Sequence, residues 1–92
     1  MAFRLRVIAV EYDSFGETVL TGVLEAGQIG SGDRIRVPTA SGTSFQSVVA
    51  RGGWASAAPF RSEMVGNATL VIGVEGTPPK NDVVVPCVAE GW

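Results

Sequence analysis

The chain predicts an all-β protein, a small barrel built from six short strands, and three observations lead there. Runs of alternating apolar and polar residues recur along it, the period-2 signature of strands with one face buried. Turn-forming clusters separate those runs, drawn from 12 glycines and 5 prolines in 92 residues. No stretch carries the 3.6-residue apolar period of an amphipathic helix. A barrel is preferred to a sandwich because closing the sheet on itself hides its edges.

Residues 3–11, FRLRVIAVE, open the chain as a strand, with Phe3, Leu5, Val7 and Ala9 on one face and Arg4 and Arg6 on the other. YDSFGE then reads as a turn. Residues 17–25, ETVLTGVLE, form a second strand, apolar on both faces and rich in β-branched side chains. After a glycine-rich reversal, 33–38 form a third strand with Ile35 and Val37 inward and Arg34 and Arg36 outward. TASG is a turn, and a fourth strand fits 44–50. Residues 51–66 are the least regular, and Pro59 interrupts any helix there. A fifth strand fits 68–75, a turn surrounds Pro78 and Pro79, and the last strand is expected over 82–88. Pro86 has no N–H to offer a ladder, so that strand is expected at an edge or with a bulge.

The length suits one domain. Hydrophobic residues make up 46% of the chain and charged ones 17%, a balance that argues against disorder. No apolar run approaches the roughly 20 residues of a membrane-spanning helix, and no small-residue cleavage site follows the N-terminal apolar run, so neither membrane nor secretion is expected. The lone Cys87 excludes an intrachain disulfide and fits a reducing cytoplasm. With a net charge of −2, a general attraction to nucleic acid is not expected. The absence of histidine removes the usual metal ligand, the usual general base and every histidine-containing triad.

The segment 22–35, GVLEAGQIGSGDRI, raises the question of a nucleotide. A phosphate-cradling loop needs a Gly-Lys-Ser/Thr ending between a strand and a helix. Here Gly27, Gly30 and Gly32 lead into Asp33 and a strand, and the single lysine, Lys80, lies far away. The glycines are therefore read as structural, supplying positive φ at a tight reversal. Asp13-Ser-Phe-Gly16 matches a GTPase tetrapeptide but alone reads as a turn. Neither nucleotide nor cofactor nor metal is expected. Glu11, Asp13 and Glu17 bracket the first turn and read as ordinary turn acids before a cation site. Cys87 reads as a buried, inert thiol, and Asn67-Ala-Thr69 as a chance glycosylation match.

The run 16–37, GETVLTGVLEAGQIGSGDRIRV, resembles the second domain of translational GTPases such as elongation factor Tu. Thr18, Val19, Thr21, Gly22, Glu25, Gly27, Ile29, Gly32 and Asp33 fall in register with that pattern. The strand from Phe3 and the segment 66–76, GNATLVIGVEG, resemble its flanking strands. The resemblance implies a closed antiparallel barrel of six or seven strands. In the parent factors this barrel follows a GTPase domain, helps hold the aminoacyl end of tRNA and touches the small ribosomal subunit. Met1 falls just before the first barrel strand, so a stand-alone barrel without the switch is expected. Ile8 and Ala9 hold places where the elongation-factor pocket has two acids, the family asparagine is displaced to Asn67-Ala68, and the family's basic and aromatic loop aligns only roughly with Arg51-Gly-Gly-Trp54. The fold carries over, and aminoacyl-tRNA binding does not.

No catalytic constellation emerges, so the chain reads as a binding module, not an enzyme. In the leading reading it contacts ribosomal RNA, tRNA or another translation component. The contact residues would be Arg4, Arg6, Arg34 and Arg36 with Arg51, Trp54, Phe60 and Arg61 of the 51–61 loop, because guanidinium groups clamp phosphates in bidentate fashion. Against it stands a solvated barrel exterior whose arginine stems cover apolar surface. The alternative is a protein-interaction or regulatory module that binds through Trp54 and Phe60. Trp92 reads as a tether, a frayed end or a contact for a second subunit, and self-association through an unpaired edge is left open. A small apolar ligand inside the barrel is disfavoured, since so few strands leave an interior filled by their own side chains.

Overall fold

The computed structural model describes residues 3–13, 16–52 and 69–92, together with the backbone of 61–62. Its strands are β1 (Phe3–Tyr12), β2 (Glu17–Gly27), β3 (Ile29–Gly30), β4 (Arg34–Pro38), β5 (Ser44–Gly52), β6 (Arg61–Ser62), β7 (Thr69–Glu75) and β8 (Cys87–Gly91). Among the described residues there is no helix. Six strands close a barrel in the order β1-β2-β7-β5-β4-β8, and β3 pairs with β6 as a separate two-stranded ribbon. Every pairing is antiparallel. The architecture is the closed antiparallel barrel that the alternation and turn spacing predict.

The inward faces of all six barrel strands meet in one core. Leu5 and Val7 come from β1, Leu20 and Leu24 from β2, Ile35 and Val37 from β4, Val49 from β5, Ile72 and Val74 from β7 and Ala89 from β8, each at most 1% exposed. Side chains therefore fill the interior, as a barrel of this strand number requires. The buried hydroxyl of Thr18 donates to the Gly76 carbonyl oxygen at 2.7 Å, so its polar atom is satisfied.

The glycine-rich reversal divides its labour. Gly27 and Gly32 hold φ of +78° and +90°, the left-handed values read from the sequence, whereas Gly30 does not. Gly30 instead donates its N–H to the Asp33 carboxylate at 2.8 Å, and its carbonyl oxygen accepts from the Asp33 N–H at 3.1 Å. Gly22 answers a different need. It lies opposite Val7, and a Cβ there would sit 2.4 Å from the Arg6 carbonyl oxygen. At the Asp13–Gly16 sequence the Gly16 N–H donates to the Asp13 carbonyl oxygen at 3.2 Å.

Two expectations are corrected. The alternation of β1 was expected to run through Ala9, but the register slips between Val7 and Ala9, so Ala9 lies outside beside Ile8, which is 51% exposed as the alternation already has it. A bulge adds one residue and exchanges the faces beyond it, after which Val10 and Tyr12 pack against the core. The final strand was expected over 82–88, at an edge or with a bulge. It begins at Cys87, past Pro86, and is held on both sides, by β1 over Arg4–Val7 and by β4 at Ile35 and Arg36. Pro86 does stay out of the ladder. The preceding residues make only an isolated bridge, Val83 with Thr39, and leave Val84 and Val85 partly exposed, at 42% and 38%. Val83 is pinned there by its N–H, which donates to the Tyr12 hydroxyl at 3.0 Å.

Candidate functional site

The position of β8 decides what the arginines can do together. Arg4 and Arg6 lie on β1, Arg34 and Arg36 on β4, and all four are exposed because their neighbours Leu5, Val7, Ile35 and Val37 point inward. β1 and β4 are not neighbours, but both flank β8. The two arginine pairs are thus two rails, two strand spacings or roughly 10 Å apart. Glu90 lies between them, in register with Arg4 on one side and Arg36 on the other.

The carboxylates on this face hold their arginines loosely. Arg4 Nη1 lies 3.7 Å from Glu90 Oε2, and Arg6 Nε lies 3.8 Å from Glu25 Oε2, with both guanidinium side chains more than half exposed. Ion pairs this long and this wet contribute little to stability, so an incoming anion can replace the carboxylate at small cost. The Arg36 guanidinium sits 4.7 Å above the centre of the Trp92 ring, and Trp92 remains 42% exposed. Cation–π contact holds the indole against the barrel wall, which answers the question of the terminal tryptophan: it is tethered, yet it still presents surface. Four guanidinium groups against two carboxylates make this face locally cationic on a chain of net charge −2.

A cavity of about 270 Å³ opens beside Arg4 and Glu90, lined further by Phe3, Ala26 and Gly91. Phe3 and Gly91 are themselves buried there, and Gly91 lies so close against the Phe3 ring that a Cβ would fall 2.2 Å from it. A second cavity of about 350 Å³ lies by the turn between β4 and β5, lined by Thr39, Ser41, Thr43, Phe45 and Lys80 among others. Its hydroxyls are turned on one another, Thr39 to Ser41 at 3.0 Å and Ser41 to Thr43 at 3.3 Å, and its Asp82 accepts from the Ser41 N–H. Those bonds hold the turn itself.

Arg51 lies elsewhere. Its Nη2 and Nε donate to Glu17 Oε1 at 2.7 and 2.9 Å. Glu17 belongs to β2 and Arg51 to β5, with β7 between them, and they meet because Gly73 on β7 has no side chain to separate them. Glu17 is thereby drawn out of any acidic cluster with Glu11 and Asp13, and no group of metal-ligating side chains occurs among the described residues. Arg61 is placed by its backbone in β6. Trp54 and Phe60 lie outside the described residues, as do Asn67 and Ala68. Cys87 is a free thiol, half-buried, and burial pushes its pKa up, which disfavours the reactive thiolate. The residues that sequence reasoning missed, Glu90 and the Phe3–Gly91 cavity, depend on where β8 runs. Alternation counted from Cys87 would have put Val88, Glu90 and Trp92 outward.

No helix among the described residues is long and apolar enough to cross a membrane. No protein-family model matches this chain, and no curated protein matches it significantly.

Proposed function

We propose that this barrel is a binding module of the translation-factor second-domain type, which docks on RNA through the β1–β8–β4 face and catalyses nothing itself. One observation carries the reading: two arginine pairs separated in sequence flank a single strand and project from one wall. That grouping suits a run of phosphates, which guanidinium groups bind in bidentate fashion. The resemblance of residues 16–37 to the translational barrel and the closed six-strand topology are compatible with it. Ribosomal RNA or tRNA is the partner class the resemblance suggests, and the cytoplasm is the compartment in which it would be met.

The test is a titration of the purified protein against small ribosomal subunits, total tRNA and an unstructured RNA at several salt concentrations. Four phosphate contacts on a single strand should give a slope of log affinity against log salt near −3 (about −0.7 per contact). The variant with Arg4, Arg6, Arg34 and Arg36 all changed to Gln should lose most of that affinity and flatten the slope, with its thermal transition retained. If the four-Gln variant binds as the natural chain does, the reading is wrong. Salt-insensitive binding of a protein partner, lost on Trp54→Ala, would instead establish the protein-interaction module.

A further inference from the structure

We infer that the edge of β1 over residues 10–12 takes up an extended peptide of another protein, added as a strand antiparallel to β1. The site does not depend on the RNA reading above. Its geometry follows from the register. The Asp13 N–H donates to the Glu17 carbonyl oxygen at 2.8 Å, one step beyond the pair Tyr12 with Thr18. Antiparallel strands alternate hydrogen-bonded and non-hydrogen-bonded pairs. Glu11 therefore also bonds toward β2, while Val10 and Tyr12 turn their N–H and C=O groups the other way. On that side β8 pairs with β1 only from Arg4 to Val7. The stretch that would continue the ladder leaves it at Pro86, which has no N–H. It leans on β4 instead, with Val83 bridging Thr39 and the Val84 N–H donating to the Pro38 carbonyl oxygen at 3.4 Å. The gap is crossed by a side chain, Tyr12, whose hydroxyl meets the Val83 N–H. Among the described residues no strand pairs with this edge.

An open edge fits another extended backbone, whose own N–H and C=O groups complete the ladder. The peptide takes the place that β8 vacates, and β8 runs antiparallel to β1. The side chains around the edge choose the sequence. Glu11 is exposed, with no cation paired to it among the described residues, and an opposite charge directly across a strand pair is favourable. Two residues back, Ala9 is exposed and small and stands beside exposed Ile8, with Val84 and Val85 partly exposed across the gap. The position opposite Ala9 thus suits a bulky aliphatic side chain. An antiparallel strand meets Glu11 before Ala9, so the sequence that fits is Lys or Arg, any residue, then Ile, Val or Leu. A second copy of this chain fits less well. The two-fold register that uses the bonds of both Val10 and Tyr12 sets Glu11 opposite its own counterpart, and like charges so placed repel.

The experiment follows the amide NMR shifts of the isotope-labelled protein during titration with the capped peptide Thr-Arg-Thr-Ile-Thr. The largest shifts should fall at Val10 and Tyr12. The middle threonine lies opposite Val10, so methylating its backbone nitrogen should weaken binding about tenfold. Methylating the arginine nitrogen, which points away from β1, should leave binding within about twofold. Replacing the peptide arginine by glutamate should weaken binding about fivefold, and Glu11→Lys should restore it. Equal weakening by the two methylations, or no shift at Val10 and Tyr12, overturns the inference. Shifts there that follow protein concentration alone would give the edge to a second copy and overturn the partner assigned to it.

Discussion

Glu17 and Arg51 show how one missing side chain can organise the outside of a barrel. They come from strands on either side of β7 and join over Gly73, their contact atoms 2.7 and 2.9 Å apart. Arg51→Ala should therefore lower stability by about 1–2 kcal/mol, less than a fully buried charged hydrogen bond because Arg51 is partly wet; urea denaturation measures it. Gly22 is the tighter constraint. The atom its Cβ would strike is a backbone oxygen of β1, which moves only if the β1–β2 ladder opens. Gly22→Ala should cost about 1–3 kcal/mol by the same assay, and no loss at all would mean that the two strands are farther apart than described. At Cys87 burial raises the pKa, so the folded state holds its proton to higher pH than the unfolded chain does. The associated stability is fully present below the ordinary thiol pKa and is lost as pH rises through the folded value. Alkylation of Cys87 at neutral pH should accordingly be much slower in the folded protein than in urea.

At the scale of the element, β1 and β8 are where local pattern and final structure part. In β1 the strict alternation survives for Phe3–Ile8 and then slips by one residue, so Ala9 joins Ile8 outside. Ile8→Lys should change stability by no more than about 0.5 kcal/mol, whereas Leu5→Ala, three residues earlier and fully buried, should cost about 2–5 kcal/mol. Equal losses at the two sites would mean that Ile8 is buried. For β8 the run Val83–Val85 carries the stronger strand propensity, yet the ladder forms over Cys87–Gly91, where Ala89, Glu90 and Gly91 are weak strand formers. Tertiary fit overrides propensity there. Gly91 is the residue that can lie under the Phe3 ring, Ala89 fits the filled interior, and the Asp82 carbonyl oxygen and carboxylate are engaged by the Ala40 and Ser41 N–H groups of the β4–β5 turn.

Closure is a property of the whole molecule, and it turns two separate arginine pairs into one surface. Because β8 is held on both flanks, its amides should exchange with solvent as slowly as those of β2 despite its five-residue length; fast exchange would mean a frayed edge and would dissolve the arginine face with it. Alternation, turn chemistry and the absence of helical periodicity determined the strands β1, β2, β4, β5 and β7, the inward side of β4 and of β1 as far as Val7, and the barrel class, since a period of 2 and a tight turn are local matters; the short β3–β6 ribbon, which pairs residues some thirty apart, left no such local mark. Those same local patterns placed Arg4, Arg6, Arg34 and Arg36 outward. They said nothing about which strands lie side by side, because neighbours in a closed sheet are chosen by the packing of all six inner faces at once. Only the tertiary structure put β8 between β1 and β4, set Glu90 among the arginines, tied Arg51 to Glu17 and laid Gly91 against the Phe3 ring. Each depends on residues distant in sequence fitting one another in space.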